Sequence, residues 1–174
     1  MELGEAVKNR RSIRSYQNRP VEEEKIERVL EAARWAPSAG NLQSVEYVVV
    51  RDEETRKKLA EASYGQVHVR NAPVSIVVCC NFSKISNYGS RGKDLYSIQE
   101  SGACIQNLML AAHSLGLGTC WIGAFDEAKI SQIIRAPANA KPVAVITVGY
   151  AAEKPESGRK NARHSVFREI YGKG

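Results

Sequence analysis

LYSIQESGACIQNLMLAAHSL (residues 95–115) runs without a break into GLGTCWIGAFD (residues 116–126). In the first part Ile98, Gly102, Ile105, Met109 and Ala112 recur at helical spacing, and Leu108, Ala111 and Leu115 form a second apolar stripe. A helix apolar on more than one side must be covered on more than one side. A dimer interface would supply that cover readily, and the small residues Gly102, Ala103 and Ala111 permit close helix packing. Gly116 is placed to stop the helix, and residues 119–122 read as a strand. A long buried helix feeding a strand through a glycine turn points to a mixed α/β or α+β domain.

The flanks agree. Residues 2–8 read as a short helix. Pro20 opens another, with Glu22, Glu23 and Glu24 in the turn that the helix dipole favours for acids. Its apolar stripe is Ile26, Val29, Leu30 and Ala33, and Pro37 ends it. Residues 45–51 read as a strand, 52–62 as an exposed helix, and 74–80 as a strand buried on both faces. Residues 81–94 form a polar stretch, containing Gly89 and Gly92, long enough for a lid or a partly mobile segment. Residues 127–134 read as a short helix and 142–150 as a last buried strand. No repeat, low-complexity tract or domain linker interrupts the pattern, so residues 1–174 are expected to form a single domain.

The chain has 174 residues, 43% apolar and 25% charged, enough to close a core without metals or cross-links. The apolar run at residues 74–80 is far short of a membrane span. Charged residues from Glu2 to Arg11 stand where a secretory signal would need an apolar stretch, so the expected setting is cytoplasmic. The cysteines Cys79, Cys80, Cys104 and Cys120 have no CxxC spacing and read as buried reduced thiols. The formal net charge is +6, and its placement is informative. Residues 1–20 carry five Lys or Arg against two Glu, and residues 155–174 again five against two, while the remainder cancels. If the two ends meet, they make one basic site on a neutral body. Nucleic acid would ask for a wider basic face interleaved with aromatics. A compact phosphate fits better.

Several chemistries are excluded. There is no GxSxG elbow, no GxxxxGK[ST] loop, and no spaced pair among His68, His113 and His164 to hold zinc. The run Gly116-Leu117-Gly118-Thr119-Cys120-Trp121 has Trp121 in place of the third glycine and follows a helix, which rejects a dinucleotide fingerprint. With no nucleophile or metal ligand on view, an enzyme of this composition would rely on a bound organic cofactor.

Three segments offer groups to such a cofactor. Arg10, Arg11, Ser12 and Arg14 place guanidinium forks and a hydroxyl where a phosphate could use them. In Pro37-Ser38-Ala39-Gly40-Asn41-Leu42-Gln43, the polar side chains of Ser38, Asn41 and Gln43 suit a heteroaromatic edge that both donates and accepts hydrogen bonds. After Trp121 and Ile122, the bare Gly123-Ala124 backbone lets a flat ligand approach closely.

RRSIRSY near the N-terminus, APSAGNLQ, GLGTCWIGAFD after a long apolar helix, then PVAVITVGYAAEKP and a basic tail together resemble the nitroreductase family of FMN-dependent oxidoreductases. The resemblance runs through nearly the whole chain. It implies an α+β three-layer sandwich, a mostly antiparallel sheet flanked by helices, assembled as an intertwined homodimer with two FMN sites at the interface. By position, Arg10, Arg11 and Ser12 would hold the phosphate and ribityl chain, and Arg14 the pyrimidine carbonyl. Asn41 would bond the flavin's polar edge with Gln43 nearby, and Pro37 and Ser38 would come from the other subunit. Trp121, Ile122, Gly123 and Ala124 would lie along the ring, with a backbone N–H of Gly123 or Ala124 directed at N5. Lys160 and Arg163 would complete the phosphate site.

The implied activity is ping-pong transfer of hydride from NADH or NADPH, through flavin N5, to an electron-poor acceptor such as a nitroaromatic or quinone. No catalytic side chain, metal, membrane or nucleic acid is implied. Gly123 stands where some members carry an acidic residue. Residues 81–94 are the only counterpart of the helical excursion found in larger relatives. Two alternatives stay open at this point: a specialised branch of the same fold (reductive dehalogenation or flavin breakdown), and a non-enzymatic phosphate or nucleic-acid binding module.

Overall fold

A computed structural model describes residues 1–156, 158 and 166–172. The chain begins with α1 (Leu3–Asn9) and α2 (Glu23–Arg34), followed by β1 (Val45–Val50), α3 (Glu53–Ala62), α4 (Val67–Asn71) and β2 (Val74–Asn81). A single turn α5 (Gly89–Arg91) leads toward α6 (Ser97–Ser114), β3 (Gly118–Ile122), α7 (Glu127–Ile134) and β4 (Ala140–Gly149). The strands form one sheet in the order β1-β2-β4-β3, and every neighbouring pair is antiparallel.

Strand periodicity sorts the core into two layers. Val74, Ile76 and Val78 of β2, with Ala144, Ile146 and Val148 of β4, pack against Ile26, Val29 and Ala33 of α2 and Ile105, Leu108 and Ala112 of α6. Val77 and Cys79 of β2, with Val145 of β4, face Leu59 of α3, Val69 of α4 and Ile130 of α7. The result is the expected α+β three-layer sandwich. A register shift at Val78/Cys79 sets Cys79 opposite Pro142, so the residue that cannot donate to the ladder sits at an irregularity.

Local chemistry fixes the helix ends. Asp52 caps α3 by accepting from Thr55 N at 2.8 Å, and Asp126 caps α7 by accepting from Lys129 N at 3.1 Å. Gly116, at φ +78, ends the turn that follows α6, and Leu117 N donates to Ala112 O at 2.9 Å.

Three expectations need correction. The helix over residues 53–62 is exposed only on its outer side, because Leu59, Ala60 and Ala62 are buried. Residues 81–94 are largely wound into turns that continue into α6, anchored by fully buried Ile85 and by Gly92, whose Cβ position lies 2.7 Å from Ile85 O. Ile98, placed on the main stripe of α6 by its spacing, is exposed. Among the described residues no helix is long and apolar enough to cross a membrane.

Candidate cofactor site

The site is built on an extended N-terminal segment laid across one edge of the sheet. Ser12 makes a parallel bridge to Thr119 of β3, and Ile13 N donates to Thr119 O at 2.9 Å. Further on, Tyr16 bridges Ala151, Gln17 N donates to Tyr150 O, and Ala152 N donates to Ser15 O, each bond 2.9 Å long. Tyr16 is driven in far enough that burial raises its phenol well above the ordinary value. Its hydroxyl donates to Ile13 O at 2.6 Å and meets Thr147 Oγ1 at 2.6 Å.

Two glycines make this crossing possible. Gly118 and Gly149 stand opposite each other in the β3–β4 pair. A Cβ on Gly118 would lie 2.7 Å from Ile13 Cγ1, and one on Gly149 would lie 2.6 Å from Pro73 Cδ and 2.8 Å from Tyr16 Cδ1.

The same docking brings the basic start of the chain to the exit from β4. A cavity of about 1050 Å³ is lined by Arg10, Arg11, His113, Thr119, Lys154 and Glu153, among others. That volume lies just above the usual range of about 300–1,000 Å³ for small-molecule sites. Arg11 Nη1 donates to Lys8 O at 2.7 Å and Arg10 O at 2.9 Å, which holds its guanidinium along the segment. Glu153 accepts from the backbone N–H of Arg14 and of Ser15, so this carboxylate pins the turn that carries Arg14. The charge count pointed to one anion held by both ends of the chain. Arg10 and Arg11 line this cavity together with Lys154, which precedes the counted stretch 155–174; Lys160 and Arg163 lie outside the described residues. Of the apolar residues that accompany these charges, Ile13 is buried, whereas Val166, Phe167, Ile170 and Tyr171 are exposed.

At the other end of β3, Ile122 is buried while Trp121, Gly123 and Ala124 are exposed. A Cβ on Gly123 would find only Trp121 Nε1, at 4.0 Å, so the backbone there is open. Gln66 Nε2 donates to Ala124 O at 3.1 Å and holds this open turn. His68, from the same region, is lowered in pKa by burial and then by Arg14, against an opposing pull from Glu153. Its Nε2 is buried with no partner among the described residues. The sequence reading weighed His68 only as a metal ligand and passed over Gln66, because α4 is five residues long and offers no periodic signal.

Pro37, Ser38, Asn41 and Gln43 are not brought to this place within one chain. They precede β1, which is the far edge strand, three strand spacings or about 14 Å from β3. Their loop is tightly wound: Gly40, Asn41 and Gln43 have φ of 57, 56 and 51. Gln43 N donates to Ser38 Oγ and Gln43 Nε2 to Asn41 Oδ1, each at 3.2 Å. Glu100 of α6, nearly fully buried, accepts from Ser44 Oγ at 2.7 Å and anchors the end of the loop.

The four cysteines are all buried and free. Burial pushes Cys79 up to about 12 and Cys80 to about 11, and raises Cys104 and Cys120 as well. Since the thiolate is the reactive form, the native protein at pH 8 is expected to react with an aromatic disulfide reagent on the order of a hundredfold more slowly than the unfolded chain. Rapid stoichiometric labelling of the native protein would contradict this.

Cations and a large cavity at one end, with open backbone at the other, suit a flat ligand that carries a phosphate. Comparison with known proteins agrees. The family model described as "Nitroreductase family" matches residues 7–71 and 64–150. A protein of Methanothermobacter thermautotrophicus, provisionally named NADH dehydrogenase/NAD(P)H nitroreductase, is 40% identical over 159 residues, covering 89% of this chain and 80% of the relative. The FMN reductase [NAD(P)H] of Bacillus subtilis is 29% identical, covering 98% of this chain and 74% of the relative. The solved NADPH:FMN oxidoreductase of Vibrio harveyi, complexed with NAD+, superposes with a TM-score of 0.90 at 27% identity, over 97% of this chain and 77% of that one. Sequence and fold together establish that this chain belongs to the nitroreductase family.

Proposed function

We propose that the chain is an FMN-dependent NAD(P)H oxidoreductase, that residues 1–174 form a single domain, and that it reduces electron-poor acceptors such as nitroaromatics or quinones by a ping-pong scheme. The observation that carries this reading is the docking of residues 10–17 on the edge of β3, which sets Arg10 and Arg11 at a large cavity in a chain of this family. Arg10, Arg11 and Ser12 would hold the phosphate and ribityl chain, and Arg14, pinned through its backbone by Glu153, would face the pyrimidine. The open backbone of Gly123 and Ala124 would admit the ring beside Trp121 and Ile122. FMN, when bound, supplies the redox chemistry, taking hydride from NAD(P)H and passing electrons to the acceptor. The protein's part is to bind and orient, and to place positive charge where negative charge develops.

A homodimer completes this reading. Pro37, Ser38, Asn41 and Gln43 lie at the opposite sheet edge, so they would serve the flavin held by a second copy. Support comes from an apolar groove of about 400 Å³ between α1, α2 and α6, lined by Leu3, Ala32, Trp35 and Leu110. Leu3 and Trp35 are 72% and 79% exposed, which a lone subunit would leave in water.

Steady-state turnover with NADH or NADPH against a nitroaromatic and a quinone tests the activity. Parallel double-reciprocal lines are the expected result. A flavin-bearing protein that turns over none of these acceptors would contradict the assigned reaction.

A further inference from the structure

His113 sits in the last turn of α6 and forms part of the wall of the cavity that Arg10 and Arg11 line. Its Nε2 is buried and has no hydrogen-bond partner among the described residues. An orphaned buried nitrogen is costly to keep and calls for a reason. Burial, then Arg10 and Arg11, hold the imidazole below its ordinary value of 6.5. Among the described residues after β4, the charged groups that line the same cavity are Glu153, Lys154 and Glu156. Glu153 is already occupied by the backbone of Arg14 and Ser15. An anion between the two arginines would offset their field at the ring and favour the protonated form.

We propose that His113 is a proton-accepting member of the phosphate site: neutral when no anion is present, it takes up one proton from solvent as a phosphate monoester binds beside Arg10 and Arg11. The inference rests on reading this cavity as the place of the FMN phosphate. The sign follows from linkage. Binding that takes up a proton weakens as pH rises, here between the His113 value in the free protein and its higher value in the complex. The phosphate's own second ionisation, near about 6, acts in the opposite sense, so the comparison must be made against a variant.

The test is calorimetry on the full chain between pH 6 and pH 8, in buffers of different ionisation enthalpy. The ligands are FMN, riboflavin and inorganic phosphate, and the variant is His113→Gln. In the wild type, FMN binding should take up more protons than in the variant. The ratio of wild-type to variant affinity should fall roughly tenfold across the range, as a one-unit pKa change implies. Riboflavin should show no such difference.

Equal pH dependence in the two proteins would overturn the role of His113 and leave the cofactor reading standing. Proton uptake with inorganic phosphate but no FMN binding would keep His113 and overturn the flavin reading. Failure of both ligands to bind would overturn both. Should His113→Gln fail to fold, NMR titration of the wild-type imidazole decides instead. Its pKa should rise when FMN is added, and an unchanged value would refute the proposal.

Discussion

Arg10→Ala is expected to yield a folded protein that binds FMN about 10- to 100-fold more weakly, because one charge-assisted hydrogen bond to a phosphate contributes about 1.5–3 kcal/mol. Arg10 lines the cavity and lies outside both layers of the core, so its removal should spare the sheet. The measurement is a fluorescence titration of flavin into the protein, alongside the thermal midpoint. Lys58→Ala, on the exposed side of α3, serves as the control for loss of a positive charge at a distance. Unchanged FMN affinity in Arg10→Ala would remove the phosphate from this cavity.

Gly118→Val should act on the same site from beneath. Even an alanine Cβ would lie 2.7 Å from Ile13 Cγ1 and 2.9 Å from Ile13 Cβ, and valine adds two methyl groups. Overpacking of this kind costs about 1–3 kcal/mol. The segment carrying Arg10 to Arg14 would relieve the clash by lifting from β3. The expected result is a lowered thermal midpoint together with at least a tenfold loss of FMN affinity. The milder Gly118→Ala should recover part of its loss when combined with Ile13→Ala, because the second change removes Ile13 Cγ1 and Cγ2, two of the three atoms the new methyl would meet. Absence of such recovery would show that the contact between Ile13 and β3 is not what holds the segment.

What was legible in the sequence depended on how local the signal was. β2 announced itself as an apolar run because both of its faces are covered, and residues 127–134 read as a short helix, which the structure starts at an Asp126 cap. The long helix α6 was read from its two stripes. The spacing also put Ile98 on the apolar side, where the fold leaves it exposed. Residues 81–94 looked like a loop because Gly89 and Gly92 break the pattern. The anchors that wind this stretch, Ile85 beneath Gly92 and Tyr88 against Tyr96 at 5.4 Å, are contacts that no periodicity displays.

The site divides along the same line. The arginines at residues 10–14 and the open Gly123-Ala124 turn were visible as motifs, each carrying its chemistry in adjacent residues. Gly118 and Gly149 were not, since their reason is the close approach of Ile13, Tyr16 and Pro73 from elsewhere in the chain. Gln66, His68 and Glu153 reach their positions only through tertiary folding. The Pro37–Gln43 loop was legible as polar turn chemistry, yet its distance from Arg10 follows only from the strand order.

The visible absorption spectrum of the purified protein, recorded before and after addition of NADH and then NADPH without oxygen, tests the central claim most directly. Flavin bands that bleach with one of these donors are the predicted result, and they would establish a flavin held and reduced in the native protein. A colourless protein that also fails to take up added FMN would contradict the account.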